Sequence, residues 1–138
     1  MKKTDLFIFD VNTLVSAFLV GSFKNNDAFR RALQIGFVIT THKVKKELAE
    51  VFVREKFDQY ISLEERISIL SFLETQIIEL AEPDERIFVC RDEKDNKYLD
   101  IAVHYRASCI ITGDKDLLVL RPFKNIPILS ASDFLKIF

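Results

Sequence analysis

The sequence contains five carboxylates that an α/β fold could bring close together: Asp10, Glu47, Asp95, Asp114 and Asp116. Asp10 and Asp114 end short apolar runs that are typical of buried parallel strands. Ligands of open α/β sheets bind beyond the carboxyl ends of the strands, and acids gathered there repel one another unless a cation lies between them. Oxygen-only ligand sets suit Mg²⁺ or Mn²⁺. The pattern therefore predicts a metal-dependent site that acts on an anion, and a phosphodiester fits best.

Each acid also has an ordinary structural explanation. Asp10 could cap the helix that follows it, and Asp95 could be a helix-start acid that the helix dipole favours. Glu47 could pair with nearby lysines on its helix, and the turn at 112–116 could simply be solvated. Because these independent reasons would have to place every acid at the same edge of one sheet, the set as a whole favours a shared site.

Polar and basic residues flank the predicted centre. Asn12 and Thr112 can orient the carboxylates and bound waters by hydrogen bonding. Setting aside the five acids, the rest of the chain carries a net charge of +4, against −1 for the whole. An acidic centre with basic surroundings suits an enzyme acting on a polyanion, although ordinary solvated helix faces would look the same. Substrate phosphates are predicted to contact three lysines: Lys43, Lys46 and Lys115.

Strand-like and helix-like segments alternate along the chain. Strands are predicted at 6–11, 37–41, 86–90, 108–112 and 126–129. Helices are predicted at 12–21, 27–35, 42–57 and 67–80, from Asp92 or Asp95 to 107, briefly after 113, and at 131–138. Such alternation predicts a three-layer α/β/α domain around a central parallel sheet of about five strands.

Length and composition limit the alternatives. The 138 residues fit one domain, taken as 1–138, and 49% apolar content supplies its core. Cys90 and Cys109 match no zinc pattern, and the chain is expected to be reduced and cytoplasmic. The N-terminus carries no clear secretory signal, and a membrane span is not expected. Phosphate-binding glycine loops and the serine nucleophile motif G-x-S-x-G are absent from the sequence.

Four motifs in order resemble the PIN domain family, the nuclease fold of VapC-like toxins in bacterial toxin–antitoxin pairs. They are F-D-V-N-T-L-V-S-A (9–17), E-L-A-E-V-F (47–52), C-R-D-E-K-D-N-K-Y-L-D-I-A (90–102) and I-I-T-G-D-K-D-L-L (110–118). One departure is Asp-Val-Asn-Thr, where the family usually has Asp-Thr-Asn. The acid and the Asn are kept, but a contact from the middle Thr is lost.

The resemblance implies a fold, an activity and partners. The fold would be a parallel sheet of strand order 3-2-1-4-5, frequently in a homodimer. The activity would be that of an Mg²⁺- or Mn²⁺-dependent ribonuclease. Asp10, Glu47, Asp95 and Asp114 would bind one or two cations, with Asp116 assisting. In toxin members a cognate antitoxin protein inserts into the acidic groove.

Two other functions remain open from the sequence. Asp-Val-Asn-Thr at 10–13 and Gly-Asp at 113–114 loosely resemble phosphatases of the haloacid-dehalogenase type, but the second Asp is Asn and the Thr comes one residue early. A non-catalytic domain whose acidic groove binds or regulates a partner protein is the other alternative. Activity on a small phosphomonoester would favour the first, and metal-independent partner binding without turnover would favour the second.

Overall fold

The computed structural model describes residues 4–84 and 93–138. Its centre is a parallel sheet of five strands in the order β3-β2-β1-β4-β5. The strands are β1 (Asp5–Phe9), β2 (Gly36–Thr41), β3 (Ile78–Leu80), β4 (Cys109–Ile111) and β5 (Ile128–Leu129). This architecture confirms the predicted α/β class and the predicted parallel sheet. The strand order also agrees with the order that the resemblance implied.

Helices connect the strands and cover the sheet. They are α1 (Val11–Val15), α2 (Phe23–Ile35), α3 (His42–Phe52), α4 (Leu63–Gln76), α5 (Asn96–Tyr105), α6 (Lys115–Leu118) and α7 (Ala131–Ile137). A π-helical turn at Ser16–Val20 continues α1 and ends at Gly21, whose φ of 85° lies in the left-handed region. None of the helices in the described ranges is long and apolar enough to cross a membrane.

Two of the predicted helices end earlier in the structure than the sequence predicts. The predicted helix at 67–80 ends at Gln76, and Ile78–Leu80 forms the edge strand β3, which pairs with β2. A short apolar run at a helix end fits either structure, and its pairing partner lies far away in sequence. The helix predicted for 42–57 ends at Phe52. The predicted strand at 86–90, with Cys90, lies outside the described residues.

The helix predicted from Asp27 begins four residues earlier, at Phe23. The hydroxyl of Ser22 caps it by accepting a hydrogen bond from the backbone N–H of Asn25 at 3.3 Å. Serine is among the best N-cap residues because its short side chain reaches back to an otherwise unpaired N–H of the first turn. The earlier start brings Asn25 into the first turn of α2.

Aromatic side chains join the sheet to α2 and α7. Phe7 of β1 meets Phe134 of α7 edge to face, with ring centroids 5.3 Å apart, and Phe9 meets Phe29 of α2 at 5.5 Å. This edge-to-face geometry is favoured between aromatic rings. Cys109 is fully buried in β4, where burial raises the pKa of its thiol to about 12, so it stays uncharged.

Gly36 permits the close approach of β1 and β2. A Cβ at this position would lie 2.4 Å from the backbone oxygen of Asp5 and 2.9 Å from the ring of Phe7. These distances are shorter than van der Waals contact, so any larger residue would push the two strands apart. The pairing of β1 with β2 holds β1 in place, and Asp10 directly follows the end of β1.

Candidate metal centre

Asp10 and Asp114 lie at the carboxyl ends of two neighbouring strands. Phe9 of β1 is in register with Ile111 of β4, so the residues that follow these strands share one edge of the sheet. Each acid also caps the helix that follows. Oδ1 of Asp10 accepts a hydrogen bond from the N–H of Thr13 at 2.9 Å, and Oδ1 of Asp114 accepts one from the N–H of Asp116 at 2.8 Å. Capping therefore orients both carboxylates at the sheet edge.

Thr112 links these two acids. Its hydroxyl donates to Oδ2 of Asp10 at 2.7 Å and accepts from the backbone N–H of Asp114 at 2.9 Å. A hydroxyl has one proton to donate, so the direction of these two hydrogen bonds is determined. They hold the Asp10 carboxylate in one orientation. Thr112 is itself buried. The sequence predicted an orienting function for Thr112, and the structure places its hydroxyl between Asp10 and Asp114.

Three carboxylates form the tightest acidic group in the described part of the chain. One oxygen from each of Asp95, Asp114 and Asp116 lies within 4.8 Å of the other two. Oxygen ligands of Mg²⁺ lie about 2.0–2.1 Å from the ion, so two of them can be at most about 4.2 Å apart. Small side-chain adjustments would therefore let one hard divalent cation bind all three. The donor set fits Mg²⁺ or Mn²⁺ and does not choose between them.

Asp10 and Glu47 line the same cavity as this group. The cavity has a volume of about 240 Å³ and is open to solvent. Its described lining comprises Asp10, Val11, Asn12, Glu47, Val51, Arg54, Lys94, Asp95, Lys97, Tyr98 and Asp114. We call it the acidic cavity. Four of the five predicted acids line it directly, and Asp116 reaches it through its proximity to Asp95 and Asp114.

The electrostatics of Asp10 reflect its burial. Only 3% of the residue is exposed, and burial raises the pKa of its carboxyl above the ordinary value of 3.8. Hydrogen bonds from Thr13 and Thr112 oppose this shift, while the negative charge of Asp114 adds to it. A buried carboxylate near other carboxylates is costly when it has no cation beside it. The site therefore favours binding of positive charge.

Tyr98 lines the acidic cavity together with the acids. Its hydroxyl accepts a hydrogen bond from the backbone N–H of Val11 at 3.0 Å, which joins α5 to the start of α1. Burial raises the pKa of Tyr98 well above its ordinary value of 10.0, and the negative charges of Asp10, Glu47 and Asp95 raise it further. The phenol therefore stays protonated and remains a neutral hydrogen-bonding group in the acidic cavity.

Lys97 supplies a positive charge inside the acidic cavity. Its ammonium group lies 2.8 Å from Oε1 of Glu47, with the two side chains 18% and 33% exposed. The same ammonium lies 5.2 Å from the ring centre of Tyr98. A divalent cation bound to Glu47 would be repelled by this ammonium group. Arg54 and Lys94 add two further cationic side chains to the lining.

The predicted substrate lysines are not gathered at this cavity. Lys43 lines a neighbouring cavity of about 230 Å³, which shares Lys97 with the acidic cavity, and its backbone N–H donates to Glu82 at 2.9 Å. Lys46 and Lys115 are exposed and do not belong to the described lining of the acidic cavity. The predicted orienting residue Asn12 is exposed and does line it.

Sequence reasoning did not assign a function to Tyr98 or Lys97. One signal was available for Tyr98, since it follows Asp95 by three residues and therefore shares its helix face. Lys97 pairs with Glu47, which lies 50 positions away in the sequence. The sequence contains no signal for such a pairing.

Comparison with known proteins agrees with this geometry. Residues 7–116 match a family model described as PIN domain. The chain is 35% identical over 82 residues to the uncharacterized protein MJ1680 of Methanocaldococcus jannaschii, across 59% of this chain and 52% of that protein. The chain thus spans about half the length of this curated relative.

A solved structure shares the fold. The crystal structure of PAE2754 from Pyrobaculum aerophilum is similar with a TM-score of 0.64, over 96% of this chain and 88% of that one. At 15% sequence identity this likeness concerns the fold alone.

Proposed function

The chain belongs to the PIN domain family, and we propose that it is a divalent-metal-dependent ribonuclease that hydrolyses RNA phosphodiester bonds. The observation that carries the proposal is the group of Asp95, Asp114 and Asp116 oxygens within 4.8 Å of one another. Asp10 and Glu47 on the wall of the same cavity add negative charge. PIN domains are generally nucleases, and a carboxylate centre suits phosphodiester hydrolysis.

In this mechanism Asp95, Asp114 and Asp116 would hold Mg²⁺ or Mn²⁺, with Asp10 and Glu47 as further ligands. A divalent cation bound there supplies an activated water and stabilises charge on the leaving oxygen. Thr112 would keep the Asp10 carboxylate oriented through the hydrogen bond described above.

Basic side chains around the centre would bind RNA phosphates. Arg54, Lys94 and Lys97 line the acidic cavity and lie beside the acids. Lys43, Lys46 and Lys115, which were predicted for this purpose, would contact phosphates farther along the strand. The chain as a whole has a net charge of −1, so local positive charge beside the site must supply the attraction.

The decisive experiment compares wild type with Asp10→Asn on a mixed RNA substrate in Mn²⁺, Mg²⁺ or EDTA. We expect cleavage that needs the metal and is lost in the variant, while circular dichroism shows both proteins folded. Gln34→Ala, an exposed amide change on α2, is the matched control and should cleave like wild type. Cleavage by Asp10→Asn at the wild-type rate would refute the assignment. Metal-independent partner binding without turnover would favour the non-catalytic alternative.

We also propose that the protein is the toxin of a toxin–antitoxin pair and is a homodimer in the cytoplasm. The family supports the toxin proposal, and the solvent-open acidic cavity would accept a basic antitoxin side chain. Leu63 and Ile67, one turn apart on α4, are 46% and 48% exposed and support a dimer surface. Growth arrest on expression and the mass in solution test the two proposals. Normal growth would refute the first, and a monomer at micromolar concentration would refute the second.

A further inference from the structure

A second cavity adjoins the acidic cavity. It has a volume of about 260 Å³, and its described lining comprises Asp10, Asn12, Thr13, Ser16, Asn25, Gly113 and Asp114. We call it the neutral cavity because its described lining is uncharged apart from Asp10 and Asp114. It shares Asp10, Asn12 and Asp114 with the acidic cavity. A ligand bound at the shared carboxylates could therefore extend into both cavities.

The two cavities differ in charge. Arg54, Lys94 and Lys97 line the acidic cavity, whereas no Lys or Arg is part of the described lining of the neutral cavity. Beyond the shared acids, uncharged side chains and the open position at Gly113 line the neutral cavity. A phosphate there would face two carboxylates with no cationic side chain to offset them. An uncharged polar group is the better occupant.

Three side chains in the neutral cavity have unused hydrogen-bonding capacity. Asn12, Ser16 and Asn25 make no side-chain hydrogen bonds to other residues within 4–84 and 93–138. Nearby Asn26, in contrast, donates to the carbonyl of Ala17 and accepts from Arg30. An amide can donate and accept at once, which matches the edge of a nucleobase, and a hydroxyl can pair with a ribose hydroxyl.

One donor of the first turn of α2 is already used. The N–H of Asn25 is bonded to the hydroxyl of Ser22 at 3.3 Å, and the N–H of Asn26 makes the first regular helical bond, to the carbonyl of Ser22 at 3.0 Å. The N–H of Asn25 is therefore not available to attract an anion. The Asn25 amide remains as a donor and acceptor for an uncharged group.

We propose that the neutral cavity binds the sugar and base of the nucleotide next to the scissile phosphate, and that Asn25 reads its base edge. The acidic cavity would then hold the phosphates on the other side of the cut. This inference rests on the proposed ribonuclease function. It predicts that the two sides of the centre bind different parts of the RNA. The side with Asn25 would select the nucleotide, and the side with Arg54 would attract phosphates.

The test measures binding of labelled RNA hexamers of A, C or U by fluorescence anisotropy in Ca²⁺, with gels to show that the RNA stays intact. Asn25→Ala should bind the preferred hexamer about three- to tenfold more weakly, as expected for one lost hydrogen bond, and should discriminate less among the three. Its salt dependence should equal that of wild type. Ala is the stronger helix former, the side chain of Asn25 makes no hydrogen bond to another described residue, and the cap from its backbone N–H to Ser22 is kept, so the variant should fold.

Two variants provide the comparison. Gln34→Ala changes an exposed amide on the same helix and should leave binding unchanged. Arg54→Ala should weaken all three hexamers alike and lower the slope of log affinity against log salt by about 0.7, the value for one phosphate contact on a single strand.

Several outcomes would overturn the inference. The first is that Asn25→Ala binds the hexamers with the same affinity as Gln34→Ala. The second is that Asn25→Ala lowers the salt dependence of binding as Arg54→Ala does. The third is that wild type binds none of the hexamers. The second outcome would mean that the neutral cavity holds a phosphate. A wild type that binds and discriminates but cuts RNA in neither Mn²⁺ nor Mg²⁺ would refute the ribonuclease proposal and leave the nucleoside site standing.

Discussion

Removing Lys97 should strengthen metal binding while it weakens RNA cleavage. In Lys97→Met the ion pair with Glu47 at 2.8 Å is lost, so an incoming cation no longer meets the repulsion of an ammonium group. A hydrogen bond between charged groups contributes about 1.5–3 kcal/mol. The 18% and 33% exposure of the two side chains allows solvent screening, which lowers this to about 1–1.5 kcal/mol. Since 1.4 kcal/mol is a factor of ten, the Kd for Mn²⁺ should fall about five- to tenfold.

Titration calorimetry of RNA-free protein with Mn²⁺ measures this change directly. The matched control is Lys45→Met, which removes a looser pair with Glu79 at 3.4 Å between side chains that are 37% and 43% exposed. Its Kd for Mn²⁺ should equal that of wild type. For RNA, kcat/KM should fall in Lys97→Met because a phosphate-binding cation is lost. Weaker or unchanged Mn²⁺ binding in Lys97→Met would refute the idea that Lys97 competes with the cation.

Three further changes test the frame of the site. Burial raises the pKa of Asp10, so the folded state binds this proton more tightly than the unfolded state does. The free energy of unfolding should therefore fall as the pH rises from 3.8 through the raised pKa. Asp10→Asn should therefore raise the Tm of metal-free protein at pH 7, with a gain that shrinks towards pH 3.8; a constant gain would contradict this sign. Tyr98→Phe should cost about 1–3 kcal/mol in urea denaturation, because the buried N–H of Val11 loses its acceptor, and a loss below about 0.5 kcal/mol would exclude this reason. Gly36→Ala should cost about 1–3 kcal/mol or more because its Cβ would clash with β1, whereas Gly113→Ala, with nothing within 4 Å, should denature like wild type; equal stability of the two variants would be inconsistent with the clash.

The strand ends of the site could be predicted from the sequence because they depend on local patterns. A continuous apolar run followed by an acid identifies the end of β1 at Asp10, and the run before Thr112 identifies β4. Once the two strands are parallel neighbours, their carboxyl ends must meet. The positions of Asp10, Thr112 and Asp114 follow from these rules together with the strand order that the resemblance implied.

Residues brought in by distant contacts could not be predicted in this way. β3 consists of three residues that continue the apolar pattern of α4, and only pairing with β2 makes them a strand. Lys97 pairs with Glu47, 50 positions away in the sequence. Asn25 lines the neutral cavity because α2 begins at Phe23. Such features depend on how helices pack around the sheet, which periodicity does not encode.

The hydrogen bonds of the acids leave capacity for a cation. Both oxygens of Asp10 accept a hydrogen bond, one from Thr13 and one from Thr112, and Oδ1 of Asp114 accepts one from Asp116. Each carboxylate oxygen has two lone pairs, so each of these oxygens can still bind a cation without breaking its hydrogen bond. These acids are therefore oriented before a metal binds, because they cap helices and bond to a buried hydroxyl.

Glu47 is different, since its partner is the ammonium group of Lys97. A divalent cation bound to Glu47 would repel this ammonium group, and an ammonium released beside the centre is then available for a substrate phosphate. Metal binding and phosphate binding should consequently strengthen each other in wild type and lose this coupling in Lys97→Met. Reciprocal titrations of Mn²⁺ and RNA measure this coupling, which must be equal in both directions, and we expect it to be smaller in Lys97→Met than in wild type. Equal coupling in wild type and Lys97→Met would instead show that Glu47 binds the metal without releasing the lysine.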